Sequence, residues 1–336
     1  MLSEFTKKTI LICPLNWGLG HATRCIPIIK ELEVSNRIII ASDGIALDLL
    51  KAEFPHLTFM ELPAYNVKYY NIGMLLSVFM QLPKIFLAIF REHIAVKKIR
   101  KKYSVDVIIS DNRYGLWDKS VRTIFITHQI YIRMPFFKSI VNFGNRYFIG
   151  KFNECWIPDY VDSLVSLSGD LSHGKNLPTN CKYINPLSRF SKKGEVVECK
   201  YDIAVVLSGP EPQRTNLEKE IAKELYTRKE RVLVVRGTTN ASTIGKWNAN
   251  TTVKYLVTGN ELETILSQSK VVVARSGYST IMDLHVLHKK ALLIPTPGQT
   301  EQEYLAEFHK ESDLFVFQKQ NEIDFEQVLN QPPFSG

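Results

Sequence analysis

Short apolar strands alternate with helical stretches along this chain, and that alternation constrains the fold more than any other feature. Between residues 15 and 160 the β-branched and aromatic runs are RIIIAS, LTFMEL, VDVIIS, TIFIT and ECWIP. From Tyr201 the pattern restarts with DIAVVL, RVLVV, VKYLV, VVVA and ALLIP. Strands that alternate with helices predict parallel sheets covered by helices on both faces. We therefore expect an α/β protein with two Rossmann-like domains.

The segment 184–200, INPLSRFSKKGEVVECK, interrupts this alternation with a proline, a polar cluster and a glycine. Such composition is typical of a link between domains. With 336 residues, of which 45% are hydrophobic, the chain is long enough for two separate cores. The expected division is a first domain over 1–184, a linker over 185–200 and a second domain over 201–336.

A turn of small residues follows the strand VVVA in the second domain. Ser276 and Gly277 would let a ligand approach the backbone, and we expect a helix to begin at Ser279 or Thr280. The free N–H groups and the dipole of a helix N-terminus favour a phosphate. An alternative needs no ligand, because Thr280 and the carboxylate of Asp283 also have the spacing of a capping box.

A second glycine-bearing loop lies near the N-terminus, where the strand TILICPL leads into NWGLGHATRCIPIIKEL. Gly18 and Gly20 permit a tight turn, and His21 falls at the start of the following helix. A single loop of this kind is common in α/β proteins, and GLGH lacks the third glycine of the dinucleotide fingerprint. His21 is a candidate general base, or alternatively a histidine satisfied by the helix N-terminus or a core contact.

Taken together, these segments resemble the GT-B glycosyltransferases, and within them family 28, a family of UDP-sugar transferases. The resemblance rests on the order SG, ST, an acidic residue three positions after the threonine, ALLIP and PGQTEQ, and more loosely on GLGH. It implies that the two domains face a cleft, with an acceptor-binding first domain and a second domain that binds the nucleotide-sugar donor. It also implies a UDP-sugar as co-substrate and no further cofactor.

Residue roles follow from the same resemblance. Ser276, Gly277 and Thr280 would hold the donor diphosphate, and Asp283, where the family usually has glutamate, would bind the ribose. Glu301 and Gln302 would bind the donor sugar. With residues at other loops and strand ends added, the donor-site candidates are Gly209, Arg214, Arg236, Arg275, Ser276, Gly277, Ser279, Thr280, Asp283, Gly298, Glu301 and Gln302.

Arginines at strand ends suit a diphosphate, because ligands of open α/β sheets bind at the carboxyl ends of the strands. Arg214 lies in the loop SGPEPQRT after a strand, while Arg236 and Arg275 end two others. Arg214 has an alternative as a solvated arginine near a helix start.

On the acceptor side, Asp111 and Asn112 follow the strand VDVIIS, and His128 follows TIFIT. We expect Asp111 to orient or deprotonate the acceptor hydroxyl together with His21, since one carboxylate and one histidine suffice for an inverting transfer. Gly18, Gly20, Asn112 and His128 complete the acceptor-side candidates. Turn formation alone would also explain Asp111.

Positive charge is concentrated in the first domain. Residues 84–102 and 113–151 each carry a net charge of +6, against +8 for the whole chain. Strings rich in aromatic and aliphatic residues, 69–90 and 134–152, accompany them. Gln81, Pro83 and Lys84 interrupt the first string, which argues against a transmembrane helix. The pattern favours peripheral binding to an anionic membrane and a lipid-linked or membrane-surface acceptor, although core helices with solvated basic faces are the alternative.

The sequence gives little support for binding of nucleic acid or metal ions. It has no recognised nucleic-acid motif and no DxD, and His285 and His288 lack a third metal ligand. Five cysteines without a CxxC pair suggest a reducing compartment, and the N-terminus reads as a first strand rather than a signal peptide, so we expect a cytoplasmic protein.

The predicted function is the inverting, metal-independent transfer of a hexose or N-acetylhexosamine from a UDP-sugar to a membrane-associated hydroxyl. Two alternatives are a nucleotide-sugar 2-epimerase of the same fold and a non-catalytic donor-binding or membrane-docking subunit.

Overall fold

The computed structural model describes residues 2–65, 80–134, 137–191, 198–238 and 246–330. The chain divides into two units, Met1–Leu187 and Ser188–Gly336, and each has its own sheet. The division falls inside the segment 185–200 that the sequence suggested as a linker.

In the described part of the first unit, seven parallel strands form one sheet in the order β3-β2-β1-β4-β5-β6-β7. The strands are β1 Thr9–Pro14, β2 Arg37–Ser42, β3 Thr58–Glu61, β4 Val107–Asp111, β5 Arg122–Ile126, β6 Glu154–Ile157 and β7 Cys181–Tyr183. The helices are α1 Leu19–Leu32, α2 Gly44–Glu53, α3 Leu82–Tyr103 and α4 Lys138–Ile149.

Both faces of this sheet are buried. Alternate residues of β1 point to opposite sides, so Ile10 and Ile12 join the core against α1 and α2 while Leu11 and Cys13 join the core against α3. This explains why β1 is continuously apolar, as expected for a parallel strand covered on both faces.

The described part of the second unit has six parallel strands in the order β10-β9-β8-β11-β12-β13. The strands are β8 Tyr201–Val206, β9 Val232–Val235, β10 Thr251–Lys254, β11 Ser269–Ala274, β12 Ala291–Leu293 and β13 Phe315–Phe317. The helices are α5 Gln213–Leu225, α6 Gly259–Ser267, α7 Tyr278–Val286, α8 Thr300–Phe308 and α9 Glu326–Leu329.

The expected strands are found, although β10 ends at Lys254 and leaves out most of the expected run VKYLV. Two short strands that the sequence analysis missed, β7 and β13, extend the sheets. The expected start of α7 at Ser279 or Thr280 is wrong, because the helix begins at Tyr278 directly after an extended Gly277. That earlier start buries the Tyr278 ring and places Thr280 inside the helix. The capping-box alternative for Thr280 and Asp283 is therefore wrong as well.

Within the described residues, no helix is long and apolar enough to cross a membrane. Half of the apolar string 69–90, residues 69–79, lies outside the described residues, and the other half leads into α3. Two residues of the string 134–152, at 135 and 136, also lie outside them, and the rest includes α4.

Candidate catalytic and donor sites

The first candidate site lies where β4 ends beside the start of α1. Gly18 adopts φ 96° before the helix, a conformation that favours glycine. His21 and Arg24 are three residues apart on α1 and so share a face. Asp111 is the last residue of β4, paired in register with Pro14 of β1. The carboxyl edge of the sheet thus brings Asp111 to the two α1 side chains.

Asp111 is the centre of this cluster. Its Oδ1 lies 2.7 Å from Nδ1 of His21, and Arg24 donates to both carboxylate oxygens through Nε and Nη2. Arg24 also places Nη1 at 3.2 Å from Nδ1 of His128. Asp111 is fully buried, whereas the His21 side chain keeps 16% of its surface exposed. The structure therefore brings together three predicted residues, His21, Asp111 and His128, around an arginine that the sequence analysis did not select.

The charges and the burial in this cluster determine the protonation states of Asp111 and His21. Burial alone would raise the pKa of Asp111, but the positive charge of Arg24, the neighbouring His21 and the hydrogen bonds from both lower it to about 2. Burial lowers the pKa of His21 despite the attraction of Asp111. At neutral pH Asp111 is thus an ionised acceptor and His21 a neutral imidazole.

These protonation states define what the pair can do. An ionised carboxylate only accepts, so Nδ1 of His21 carries the proton and donates to Asp111. The lone pair then lies on Nε2, the nitrogen on the other side of the ring. A neutral imidazole held in this tautomer by a carboxylate is suited to accept a proton from a hydroxyl.

Asn112 follows in a left-handed conformation, with φ 59°. Its backbone N–H donates to the carbonyl of Ile126, while its buried Oδ1 accepts no hydrogen bond. Gly20 lies in the first turn of α1, one residue before His21. Asn112 thus presents a polar atom beside Asp111 whose hydrogen-bonding capacity is unused.

A second buried network, which sequence reasoning also missed, supports this edge. The fully buried Arg113 donates to Glu92 of α3 at 2.7 Å, to Asp43 and to the carbonyl of Pro14 at 2.9 Å. These bonds tie the ends of β1 and β4 to α3. Arg113 therefore fixes the backbone on which Asp111 and Asn112 are carried.

In the second unit, Arg275 is bound by backbone carbonyls and a glutamine side chain. Its guanidinium donates to the carbonyls of Pro295 at 3.1 Å and Gln213 at 2.8 Å, and to the side chain of Gln320 at 2.8 Å. Burial lowers its pKa to about 10. Ser276 is fully buried, and its hydroxyl donates to the carbonyl of Gln302 at 3.2 Å. Both residues hold the turn in place before Gly277 and α7.

Asp283 lies on the buried side of α7, where Ser188 donates to its Oδ1 at 2.7 Å and Nε of Arg189 lies 3.5 Å from Oδ2. Burial raises the pKa of Asp283, although Arg189 and the hydrogen bonds oppose this. Thr280 and Asp283 line a cavity of about 40 Å³. Asp283 and Thr280 therefore line the same small cavity, while Ser279 is half-exposed one position earlier.

The loop before α8 is held by Gln302. Its Oε1 accepts from the backbone N–H of Thr296 at 2.8 Å, and its side chain is largely buried. Gly298 has φ 78°, and its N–H donates to Glu303 at 2.8 Å. Glu301, in the first turn of α8, is half-exposed. The loop is thus braced by Gln302, while Glu301 remains accessible.

Arg214 and Arg236 form an ion cluster with the buried Glu218 and the exposed Glu211. Arg214 pairs with Glu218 at 3.3 Å and with Glu211, and Arg236 pairs with Glu218 at 2.7 Å. The positive charges are balanced inside the cluster, so a diphosphate would have to compete with these carboxylates. Gly209 precedes the cluster in the loop after β8 and has φ 102°, a backbone conformation that favours glycine.

Among the described residues, no group of three or more histidine, cysteine, aspartate or glutamate side chains is arranged to hold a metal ion. His285 and His288 on and after α7 stack on each other, with 6.2 Å between ring centroids. Stacked rings of this kind account for their spacing without a metal.

Residues 208–331 match the C-terminal domain of glycosyltransferase family 28. This match includes the turn 275–283, the loop before α8 and the arginine cluster of the second unit. A search of curated proteins gave no match.

Solved structures resemble the chain over nearly its whole length. CalG4, the calicheamicin glycosyltransferase, is 12% identical with a TM-score of 0.65, covering 97% of this chain and 91% of that one. SnogD from Streptomyces nogalater is 11% identical with a TM-score of 0.62, covering 97% and 91%. MurG from Acinetobacter baumannii is 12% identical with a TM-score of 0.55, covering 97% and 89%. At these identities the likeness establishes the fold, two Rossmann-like domains of the GT-B type.

Proposed function

We propose that this chain, a glycosyltransferase of GT-B fold whose C-terminal domain belongs to family 28, transfers a sugar from a UDP donor to an acceptor hydroxyl with inversion. The observation that carries this proposal is the contact between Nδ1 of the partly exposed His21 and the buried Asp111 at 2.7 Å. It supplies a neutral base at the carboxyl edge of the first sheet, where ligands of α/β domains bind. The sugar we favour is a hexose or N-acetylhexosamine.

His21 and Asp111 suffice for the proton transfer in the chemical step. Nε2 of His21 takes the proton of the acceptor hydroxyl, and the acceptor oxygen forms a bond to the anomeric carbon of the donor. The bond from that carbon to the diphosphate oxygen breaks, and its electron pair leaves with UDP. Attack opposite the leaving group inverts the anomeric centre. Asp111 stabilises the imidazolium that forms, and no metal ligand is needed for the proton transfer.

The donor would lie against the second unit. The N-terminus of α7 follows the small residues Ser276 and Gly277, and its free N–H groups suit a diphosphate. Asp283 would accept from the ribose hydroxyls, while Glu301 and Gln302 would contact the sugar. Such a site neutralises the leaving diphosphate through backbone dipoles rather than through a metal ion.

The acceptor we propose is at a membrane surface, and α4 supports this. The buried face of α4 is partly polar: Asn142 and Asn145 bond the backbone of the preceding loop at 2.7 to 3.1 Å, while Ile149 packs in the core. Its outer face is apolar, with Ile140 68% and Phe143 70% exposed. Exposed apolar side chains grouped on one helix face suit contact with a hydrophobic partner.

The outer face of α3 adds to this surface. Phe86, Phe90 and Ile94 are exposed at helical spacing, and the Phe86 ring lies 6.4 Å from that of Phe148 on α4. Exposed basic residues border these apolar side chains; they are Lys84, Arg91, Lys97, Lys98, Lys101, Lys102 and Lys138. We call the outer faces of α3 and α4 the apolar-basic face. Its chemistry fits the interfacial region of an anionic bilayer.

The experiment that tests the function begins with thermal stabilisation by a panel of nucleotide sugars and continues with transfer assays. A donor at a hundredfold excess over its Kd should raise the apparent free energy of unfolding by about 2.7 kcal/mol. With that donor, His21→Ala should lower kcat by roughly 10²–10⁴-fold at unchanged UDP affinity. His56→Ala, at an exposed histidine, is the control. Equal turnover by His21→Ala would overturn the assignment of the base.

A further inference from the structure

Arg24 contacts His21, Asp111 and His128 at once. It is 2% exposed and lies one helical turn after His21 on α1. Its Nε and Nη2 donate to the two different oxygens of Asp111, the paired geometry by which arginine fixes the plane of a carboxylate. Nη1 is held in turn at 3.2 Å from His128.

We infer that Arg24 is a positioning residue for glycosyl transfer: it holds Asp111 against Nδ1 of His21 and thereby leaves Nε2 to take the acceptor proton. This inference rests on the proposed function, since it concerns the base named there. Without the guanidinium, a fully buried carboxylate would have to rotate, take up a proton or recruit water. Each of these would loosen the contact that fixes the imidazole.

The groups that face His21 come from three elements. Arg24 lies on its own helix, Asp111 at the end of β4 and His128 after β5, while the thiol of Cys25 lies 3.6 Å from Asp111. The charges of Arg24 and His128 lower the pKa of His21, and Asp111 raises it. Removing Arg24 and removing Asp111 should therefore shift the titration of His21 in opposite directions.

The test uses the full chain with Arg24→Gln, Arg24→Lys and Asp111→Asn, and it reads the His21 imidazole by nitrogen-15 NMR without substrate. The His21→Ala spectrum assigns the signal. The wild type should show the Nδ1–H tautomer. Arg24→Gln should move the titration midpoint up and mix the tautomers, and Asp111→Asn should move the midpoint down. Arg24→Lys keeps the charge but cannot hold both carboxylate oxygens, so it should keep the midpoint near wild type and still mix the tautomers. An unchanged midpoint and tautomer in folded Arg24→Gln would overturn the inference.

Turnover provides the second readout. Arg24→Lys should lower kcat by roughly 10–100-fold with little change in the donor KM, because a single ammonium cannot hold both carboxylate oxygens. In the Asp111→Asn background, Arg24→Gln should add little further loss, since both act through the same contact. Wild-type turnover by folded Arg24→Lys would contradict the positioning role. A wild type that transfers no sugar would instead refute the proposed function, while the NMR result still decides the role of Arg24.

Discussion

The hydroxyl of Ser188 donates a hydrogen bond to the carboxylate of Asp283, with 2.7 Å between the two oxygens. The two residues are 95 positions apart, and Nε of Arg189 lies 3.5 Å from the other carboxylate oxygen. Asp283 is therefore both a support for the start of the second unit and the proposed ribose ligand. A substitution of Asp283 would affect both roles. A substitution of Ser188 removes only the support and so distinguishes them.

We expect Asp283→Asn to weaken UDP binding by roughly 10–100-fold, because a hydrogen bond to a charged group contributes about 1.5–3 kcal/mol. Calorimetric titration with UDP measures this directly. Ser188→Ala is the matched control, since it removes the support of the same carboxylate and leaves the carboxylate itself. Ser188→Ala should cost stability but retain most UDP affinity. Equal UDP affinity in Asp283→Asn and wild type would exclude Asp283 from the donor site.

The two residues proposed for the donor sugar should behave differently from each other. Gln302→Ala leaves the buried N–H of Thr296 unpaired, so it should lower the free energy of unfolding by about 1–3 kcal/mol. Glu301→Gln, on the accessible side of α8, should keep wild-type stability and UDP affinity and change the ranking of donor sugars. Thermal unfolding and competition between UDP-sugars measure these effects. Loss of UDP binding itself in Glu301→Gln would place Glu301 at the nucleotide rather than at the sugar.

The pH dependence of stability should contain a contribution from Asp111. Its pKa is about 2 in the folded chain against an ordinary 3.8, so the ionised form stabilises the fold. That stabilisation, on the order of 2 kcal/mol, is present above pH 4 and is lost as the pH falls towards 2. Urea unfolding at several pH values should thus show the gap between wild type and Asp111→Asn narrowing below pH 4. A gap that stays constant down to pH 2 would show that Asp111 does not titrate in this way. Asp170→Asn, which removes an exposed ion pair with Arg133, should cost little.

The strands of both sheets could be predicted because their signal is local. A parallel strand buried on both faces needs a continuous apolar run, and β1, β2, β4 and β11 have one. The short strands β7 and β13 lack this signal. Cys181–Tyr183 is only partly buried and places a lysine in its centre, so its pairing with β6 becomes evident only in three dimensions.

The candidate sites were harder to predict, since their contacts join distant parts of the chain. His21 and Asp111 could be selected separately from their loops, but the role of Arg24 depends on a contact across 87 positions. One signal was available: α1 carries this arginine on the same side as the buried Cys25 and Ile28. A fully buried arginine needs acceptors for its guanidinium, and Asp111 supplies two to Arg24.

The last prediction concerns the apolar-basic face of α3 and α4. Wild-type protein should sediment with vesicles that contain anionic lipid, should bind neutral vesicles much less, and should dissociate as salt increases. Replacing Lys97, Lys98, Lys101 and Lys102 by glutamine should weaken this binding at least tenfold, since each basic side chain near the surface contributes about 1 kcal/mol.

The matched control replaces four exposed lysines of the second unit, Lys219, Lys223, Lys310 and Lys319, and should bind as wild type despite the same change in net charge. Phe90→Ser with Phe143→Ser should weaken binding at every salt concentration, because it removes apolar contact rather than charge. If both quadruple variants lose binding equally, attraction by overall net charge would explain the result, and the apolar-basic face would have no specific part in docking.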